Sequence, residues 1–198
     1  MLRLVPNLHR PPMPEQPQIG PDEYDLLQRI GAGDTAAFEA FYKNYYPRLF
    51  RFILRMTRQP EAVEELIQET LLVVWEKPQG FNHESKISTW VFGIAYHKTL
   101  KAMTKSARRN NDVDIDDLTE TIGDPTANPA NNWENEDWLN YALATLPPEQ
   151  RAVIELTFYH GLSYQDVARI LDCPENTVKT RMFHARRKLQ VFADAQEK

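Results

Sequence analysis

The chain has 198 residues, enough for one large or two small domains, with 42% hydrophobic residues to build cores and an ordinary 26% charged fraction. A net charge of −5 rules out a uniformly basic nucleic-acid coat, so any such contact must come from local patches. The single cysteine, Cys173, excludes an internal disulfide and a multi-thiolate zinc site and fits a reducing cytoplasm, and no apolar run reaches membrane-span length.

Residues 1–21 are proline-rich and are expected to form a disordered tail. Asp22–Ile30 reads as a short helix stopped by Gly31-Ala-Gly33. Asp34 caps a second helix over 35–57, which Pro47 is expected to kink or divide. Gln59-Pro60 opens a third helix to about Trp75, and Lys77-Pro78-Gln79-Gly80 breaks it. This third helix sorts by angle. Val63, Leu66, Ile67, Thr70, Leu71, Val73 and Val74 take the core half, leaving Glu61, Glu65, Gln68, Glu69, Leu72, Trp75 and Glu76 opposite. Carboxylates around an apolar pair suit docking of a basic partner, although Trp75 could equally fold under the helix end.

A polar loop follows, Phe81 to Ile87, with Asn82, His83, Glu84, Ser85 and Lys86. Such a loop could shape a pocket for a base turned out of the stack. Ser88 is the expected cap of a long helix over 89–108. Phe92, Tyr96, Leu100, Met103 and Ala107 form its core stripe, and Lys98, Lys101, Lys105 and Arg108 line the opposite side. A cationic row of this kind tracks phosphates. Trp90 near the helix start either stacks on unpaired bases or packs on the preceding loop.

Residues 110–133 lack periodicity and read as a linker. No Lys or Arg occurs between Arg109 and Arg151, while Asp112, Asp114, Asp116, Asp117, Glu120, Asp124, Glu134, Glu136 and Asp137 do. Basic residues collect on either side, so the expected organisation is two cationic helical modules joined by an anionic strap. Helices are expected over Glu134–Thr145 and, after Pro147-Pro148, over Glu149–Tyr159.

The last segment carries the sharpest signal. Ser163 caps a helix to Leu171, Asp172 occupies a turn position that calls for a left-handed backbone, and Pro174 opens a second helix. Val178, Met182, Ala185 and Leu189 recur at inward spacing, while Asn176, Lys179, Thr180, Phe183, His184, Arg186 and Arg187 face out. Amide and cationic donors with one apolar ring suit a major groove. No strand pattern appears, so the fold class is all-α, with helical domains over 22–109 and 134–194.

Three motifs, in order, make the chain resemble an extracytoplasmic-function (ECF) sigma factor, of the bacterial housekeeping-type sigma family. Glu65-Leu-Ile-Gln-Glu69 with Val74-Trp75-Glu76 resembles the region-two segment that holds core RNA polymerase. Ser88-Thr-Trp-Val-Phe-Gly-Ile-Ala95 resembles the start of the helix facing the melted minus-ten element. Leu162-Ser-Tyr-Gln-Asp-Val-Ala168, with Cys173-Pro and Thr177-Val-Lys-Thr-Arg181, resembles the region-four helix-turn-helix that reads the minus-thirty-five element.

The resemblance implies polymerase contacts at Glu61, Glu65, Gln68, Glu69, Leu72 and Trp75. It implies a minus-ten surface of Asn82, His83, Glu84, Ser85, Lys86 and Ser88, continued by Trp90, Lys98, Lys101, Lys105 and Arg108. It implies duplex contacts at Asn176, Thr177, Lys179, Thr180, Arg181, Phe183, His184, Arg186 and Arg187. The implied partners are core RNA polymerase, promoter DNA as duplex and melted strand, and an anti-sigma factor that could hold the protein near a membrane without its own insertion. No cofactor, metal or catalytic constellation is expected: the five histidines are scattered and no glycine-rich phosphate loop occurs. Two rivals stay open at this level, a self-sufficient helix-turn-helix regulator and an adaptor or anti-sigma protein.

Overall fold

The computed structural model describes residues 22–111 and 141–196. The expected N-terminal tail, most of the acidic linker and the first half of the helix over 134–145 lie outside the described residues. The described elements are all helical.

The first lobe is built from four helices: α1 (Glu23–Gly31), α2 (Thr35–Thr57), α3 (Pro60–Glu76) and α4 (Ile87–Asn111), with a 3-10 turn at Pro78–Gly80. Local chemistry sets the boundaries. The Asp22 carboxylate accepts from the Tyr24 N–H, and Asp34 accepts from the N–H groups of Ala36 and Ala37, so orphan donors at two helix starts are satisfied. Arg29 holds Asp34 in place through Nε and Nη2 at 2.9 and 2.7 Å. Arg58 ends α2 in the left-handed region, and Pro60 then sits at the start of α3, where its missing N–H costs nothing.

Pro47 does not divide α2: the helix runs through it as one element of 23 residues. Tertiary packing outweighs the lost backbone bond, because Phe41, Tyr45, Leu49, Phe52, Ile53 and Met56 on either side of Pro47 are all fully buried. Helix α4 begins two residues earlier than expected, at Ile87, and reaches Asn111. Ser88 therefore lies inside the first turn and not at the cap, and the Lys86 carbonyl accepts from the Trp90 N–H. The expected core stripe of α4 fades along its length. Phe92 and Tyr96 are buried, Leu100 and Met103 half-buried, and Ala107 exposed, because the helix outruns the bundle that covers its start.

In the second lobe residues 141–144 are helical. Next comes α5 (Pro148–Ile154), then a π-helical turn over Glu155–Tyr159, so the single helix expected there widens in its second half. α6 (Tyr164–Ile170) and α7 (Glu175–Gln196) complete it. Ser163 and Asp166 form a reciprocal capping box on α6. Asp172 has φ +47, the left-handed turn that the sequence called for.

The lobes pack on one another over a continuous core. α4 lies against α6, and α2 meets α5. Arg151 on α5 is nearly buried and donates to five carbonyls. Three belong to its own lobe (Leu143, Ala144 and Leu146), and two, Arg55 and Met56, close α2. A guanidinium among the last carbonyls of a helix satisfies orphan acceptors and complements the negative end of the helix dipole. The Thr89 hydroxyl donates to Asp166 Oδ1 at 3.0 Å, tying the first turn of α4 to α6. The His160 ring lies 5.8 Å from Phe52 and 4.3 Å from Phe92.

Candidate nucleic-acid and protein interfaces

The outer face of α3 keeps the composition read from its angles. Glu61, Glu65, Gln68, Glu69, Leu72 and Glu76 are exposed, whereas Val63, Leu66, Ile67, Thr70, Leu71 and Val74 are buried beneath them. Leu72 is 51% exposed, a large apolar side chain set among carboxylates. Trp75 is half-buried and meets Phe38 edge-on at 5.1 Å, so its ring is partly committed to the fold. Val73, assigned to the core half, is only half-buried.

The loop before α4 is held by its own polar groups. Asn82 accepts from the Glu84 N–H and donates to the Glu84 carboxylate at 2.8 Å. His83 has φ +61, an uncommon backbone for a residue with a side chain. Asn82, His83, Glu84 and Lys86 are exposed, and Ser85 and Ser88 half-buried. Trp90 is half-buried with its ring 5.7 Å from Phe81, which favours packing on the preceding loop over free presentation.

Lys101, Lys105 and Arg108 form an exposed row on α4. Lys98 differs: it is half-buried and donates to Glu69 on α3 at 3.0 Å. Two residues assigned to separate surfaces therefore neutralise one another across a helix pair.

On α7, Val178, Met182 and Ala185 are buried and Leu189 half-buried, which orients the helix as its pattern required. Asn176, Lys179, Thr180, Phe183, His184 and Arg187 are exposed, with Phe183 at 62%. Thr177, Arg181 and Arg186 are half-buried. Arg181 approaches Cys173 Sγ at 3.6 Å, and the Arg186 guanidinium lies over Phe158 at 5.4 Å, so both turn partly inward from the open face. Lys179 pairs with Glu175 at 2.9 Å in solvent, a bond that a phosphate could replace at little cost.

Between the lobes sit the titratable groups that sequence reasoning missed. Glu155 is fully buried, with Arg55 Nη1 3.2 Å from Oε2. Burial pushes its carboxyl up to about 7, and Arg55 and Arg151 offset this only in part. Burial likewise drives the His160 imidazole down to about 3, helped by the nearby positive charges of Arg48, Arg55 and Arg51. Burial lowers the Arg151 guanidinium from its ordinary value too, but it stays charged. No motif marks these residues, and each has a partner in the other half of the chain. Among the described residues no group of His, Cys, Asp and Glu is placed to hold a metal ion, and no helix is long and apolar enough to cross a membrane.

Comparison with known proteins bears on the same segments. Residues 41–110 match the Sigma-70 region 2 family and residues 136–189 the Sigma-70 region 4 family. The ECF RNA polymerase sigma factor SigL of Mycobacterium tuberculosis is 32% identical over 161 residues, covering 81% of this chain and 90% of that protein. The ECF RNA polymerase sigma-E factor of Haemophilus influenzae is 28% identical over 174 residues, covering 83% and 92%. Among solved structures, the sigma factor RpoE of Bartonella quintana, in complex with the anti-sigma factor NepR, is similar at 28% identity and a TM-score of 0.64, over 79% of this chain and 96% of that one. The two family matches fall in the order region 2 then region 4 along one chain, and the chain belongs to the ECF RNA polymerase sigma factors.

Proposed function

We propose that this sigma factor holds core RNA polymerase through Glu61, Glu65, Gln68, Leu72 and the rim of Trp75, captures the melted minus-ten strand with loop 82–88 and the Lys101–Lys105–Arg108 row, and reads the minus-thirty-five duplex with α7. As a family member it directs polymerase to promoters and is not itself an enzyme. The observation that carries the assignment is the recognition helix. A capping box and a left-handed Asp172 fix the turn, and directly behind it Lys179, Thr180, Phe183 and His184 stand in solvent. Polar and cationic groups around a 62%-exposed ring match base edges and a thymine methyl better than they match water.

The physics divides the work between the modules. Region-four contacts to duplex DNA fix register, and phosphate contacts by the α4 row add salt-sensitive affinity. Holding one unpaired base in the loop offsets the few kcal/mol that unpairing costs. With a region-two domain over 22–109 and a region-four domain over 134–194 on one chain, engagement of one element raises the local concentration of the other. The acidic linker, repelled by DNA, suits a channel that is built for RNA.

A relative's structure with a bound anti-sigma factor supports regulation of this chain by an anti-sigma protein that covers the same faces. Action in the bacterial cytoplasm follows from the same reading. The decisive experiment mixes the purified chain with core polymerase lacking its native specificity subunit, then measures co-elution and run-off transcription over a promoter library. Co-elution with selective run-off supports the proposal; a chain that elutes alone, or binds duplex operators equally well without core, refutes it.

A further inference from the structure

A cleft of about 400 Å³ opens between the minus-ten loop and the second lobe. Its first-lobe wall contains His83, Ser85 and Lys86, but also Tyr24 from α1, far upstream in sequence. Tyr24 is 46% exposed. One exposed aromatic residue would mean nothing by itself. This one, however, belongs to a built shelf. Its ring is nearly parallel to that of His83, at 12° and 6.1 Å between centroids, and lies 5.8 Å from Phe81. Phe81 is buried and also meets His83 at 4.8 Å, so the shelf is rooted in the core. His83 has a left-handed backbone, and the two Asn82–Glu84 hydrogen bonds close the loop on either side of it.

Four charged groups face the cleft: Glu84, Lys86, Asp166 and Arg169. Both carboxylates are already engaged. Glu84 accepts from Asn82, and Asp166 accepts from the hydroxyls of Ser163 and Thr89. The two cations are exposed and make no ion pair among the described residues. Arg169 reaches in from α6 and belongs to the cleft only while the lobes are packed. Lys86 and the aromatic shelf belong to the first lobe alone. A rigid π-face beside a free cation is the chemistry that recognises a nucleotide, with its base stacked and its phosphate neutralised.

We infer that Tyr24 is a base-stacking residue of the first-lobe shelf beside loop 82–88 and helps to select the unpaired base held there. This rests on the assignment of loop 82–88 to the melted strand and extends the site to a helix that no motif marked.

The test uses holoenzyme reconstituted with core polymerase and a fluorescent forked DNA, built on a promoter selected in the run-off assay, with the minus-ten strand unpaired. Each unpaired position is made abasic in turn. Tyr24→Ala should weaken fork binding about tenfold, the size of one lost base stack, while core affinity holds. Tyr24→Phe should stay within about twofold of the parent, because the ring and not the hydroxyl stacks. At one abasic position the parent should fall to the level of Tyr24→Ala, and that variant should lose nothing more. Unchanged binding by Tyr24→Ala, or an equal loss on intact and abasic forks at every position, overturns the inference. Lys86→Ala separates the two levels. If it weakens fork binding and Tyr24→Ala does not, only Tyr24 is misassigned; if neither matters, the loop assignment falls as well.

Discussion

Arg55, near the end of α2, places its guanidinium 3.2 Å from the fully buried carboxylate of Glu155 on the π-helical turn, so one ion pair bridges the two lobes. The same Arg55 lies over the Tyr159 ring at 4.0 Å. Even so, burial dominates at Glu155 and raises its carboxyl from 4.5 to about 7. A carboxyl raised by folding favours the folded state fully below its unfolded value, and that contribution is lost as pH climbs through the folded value. The protein should therefore gain stability relative to Glu155→Gln as pH falls from 8 to about 4.5, with the gain accumulating steadily between about 7 and 4.5. Urea midpoints of both proteins across that range check this, and parallel curves contradict it.

His160 acts in the opposite sense. Its imidazole is pushed from 6.5 to about 3, so the unfolded chain takes up a proton below pH 6.5 that the folded chain refuses. Stability from this group is complete above pH 6.5 and drains away as pH falls toward 3. Between about 4.5 and 6.5 it opposes Glu155. His160→Leu should flatten the acid limb of the stability profile whatever it does to the absolute midpoint. An acid limb of unchanged slope counts against it.

Arg151 should be the costliest side chain to truncate in the second lobe. Arg151→Ala strands five carbonyl acceptors, two of them at the end of α2. Breaking a buried charged network of this kind costs about 3–5 kcal/mol. We expect a large drop in Tm together with lobe separation, visible as a larger radius of gyration in solution scattering. A small drop with unchanged dimensions would show that the carbonyls find other partners.

Leu72 offers the cleanest probe of polymerase docking, because at 51% exposure it contributes little to folding. Leu72→Ala should weaken core binding by about 1–2 kcal/mol, the range of an apolar anchor, with Tm unchanged. Fluorescence titration with core and thermal melting together decide it. A fall in Tm with core affinity intact would return Leu72 to a structural role.

The α4 row should show its difference in ion pairing. Lys101 is exposed, while Lys98 is held by Glu69. Lys101→Gln should reduce the slope of log affinity against log salt by about 0.7 on single-stranded minus-ten DNA. Lys98→Gln should change it less, since its charge is already partly neutralised. Equal changes for both would mean that the Lys98–Glu69 pair opens on DNA.

The chain's local grammar was legible in one dimension. Caps at Asp34 and Ser163, the left-handed Asp172 and the sorting of α3 into buried and acidic halves depend on neighbours within one or two turns, and period and capping rules reach that far. The exposed face of α7 followed from the same periodicity. Pro47 marks a limit, because a breaker's local penalty is overridden when both flanks bury large side chains.

Tertiary structure decided what distant segments do for each other. It joined Arg151 to the end of α2, Asp166 to Thr89, Lys98 to Glu69 and Tyr24 to His83. It also turned Glu155 and His160 into titratable groups of unusual affinity. Burial is a property of the assembled core, and residues a hundred positions apart acquire a shared dielectric only once both helices are in place.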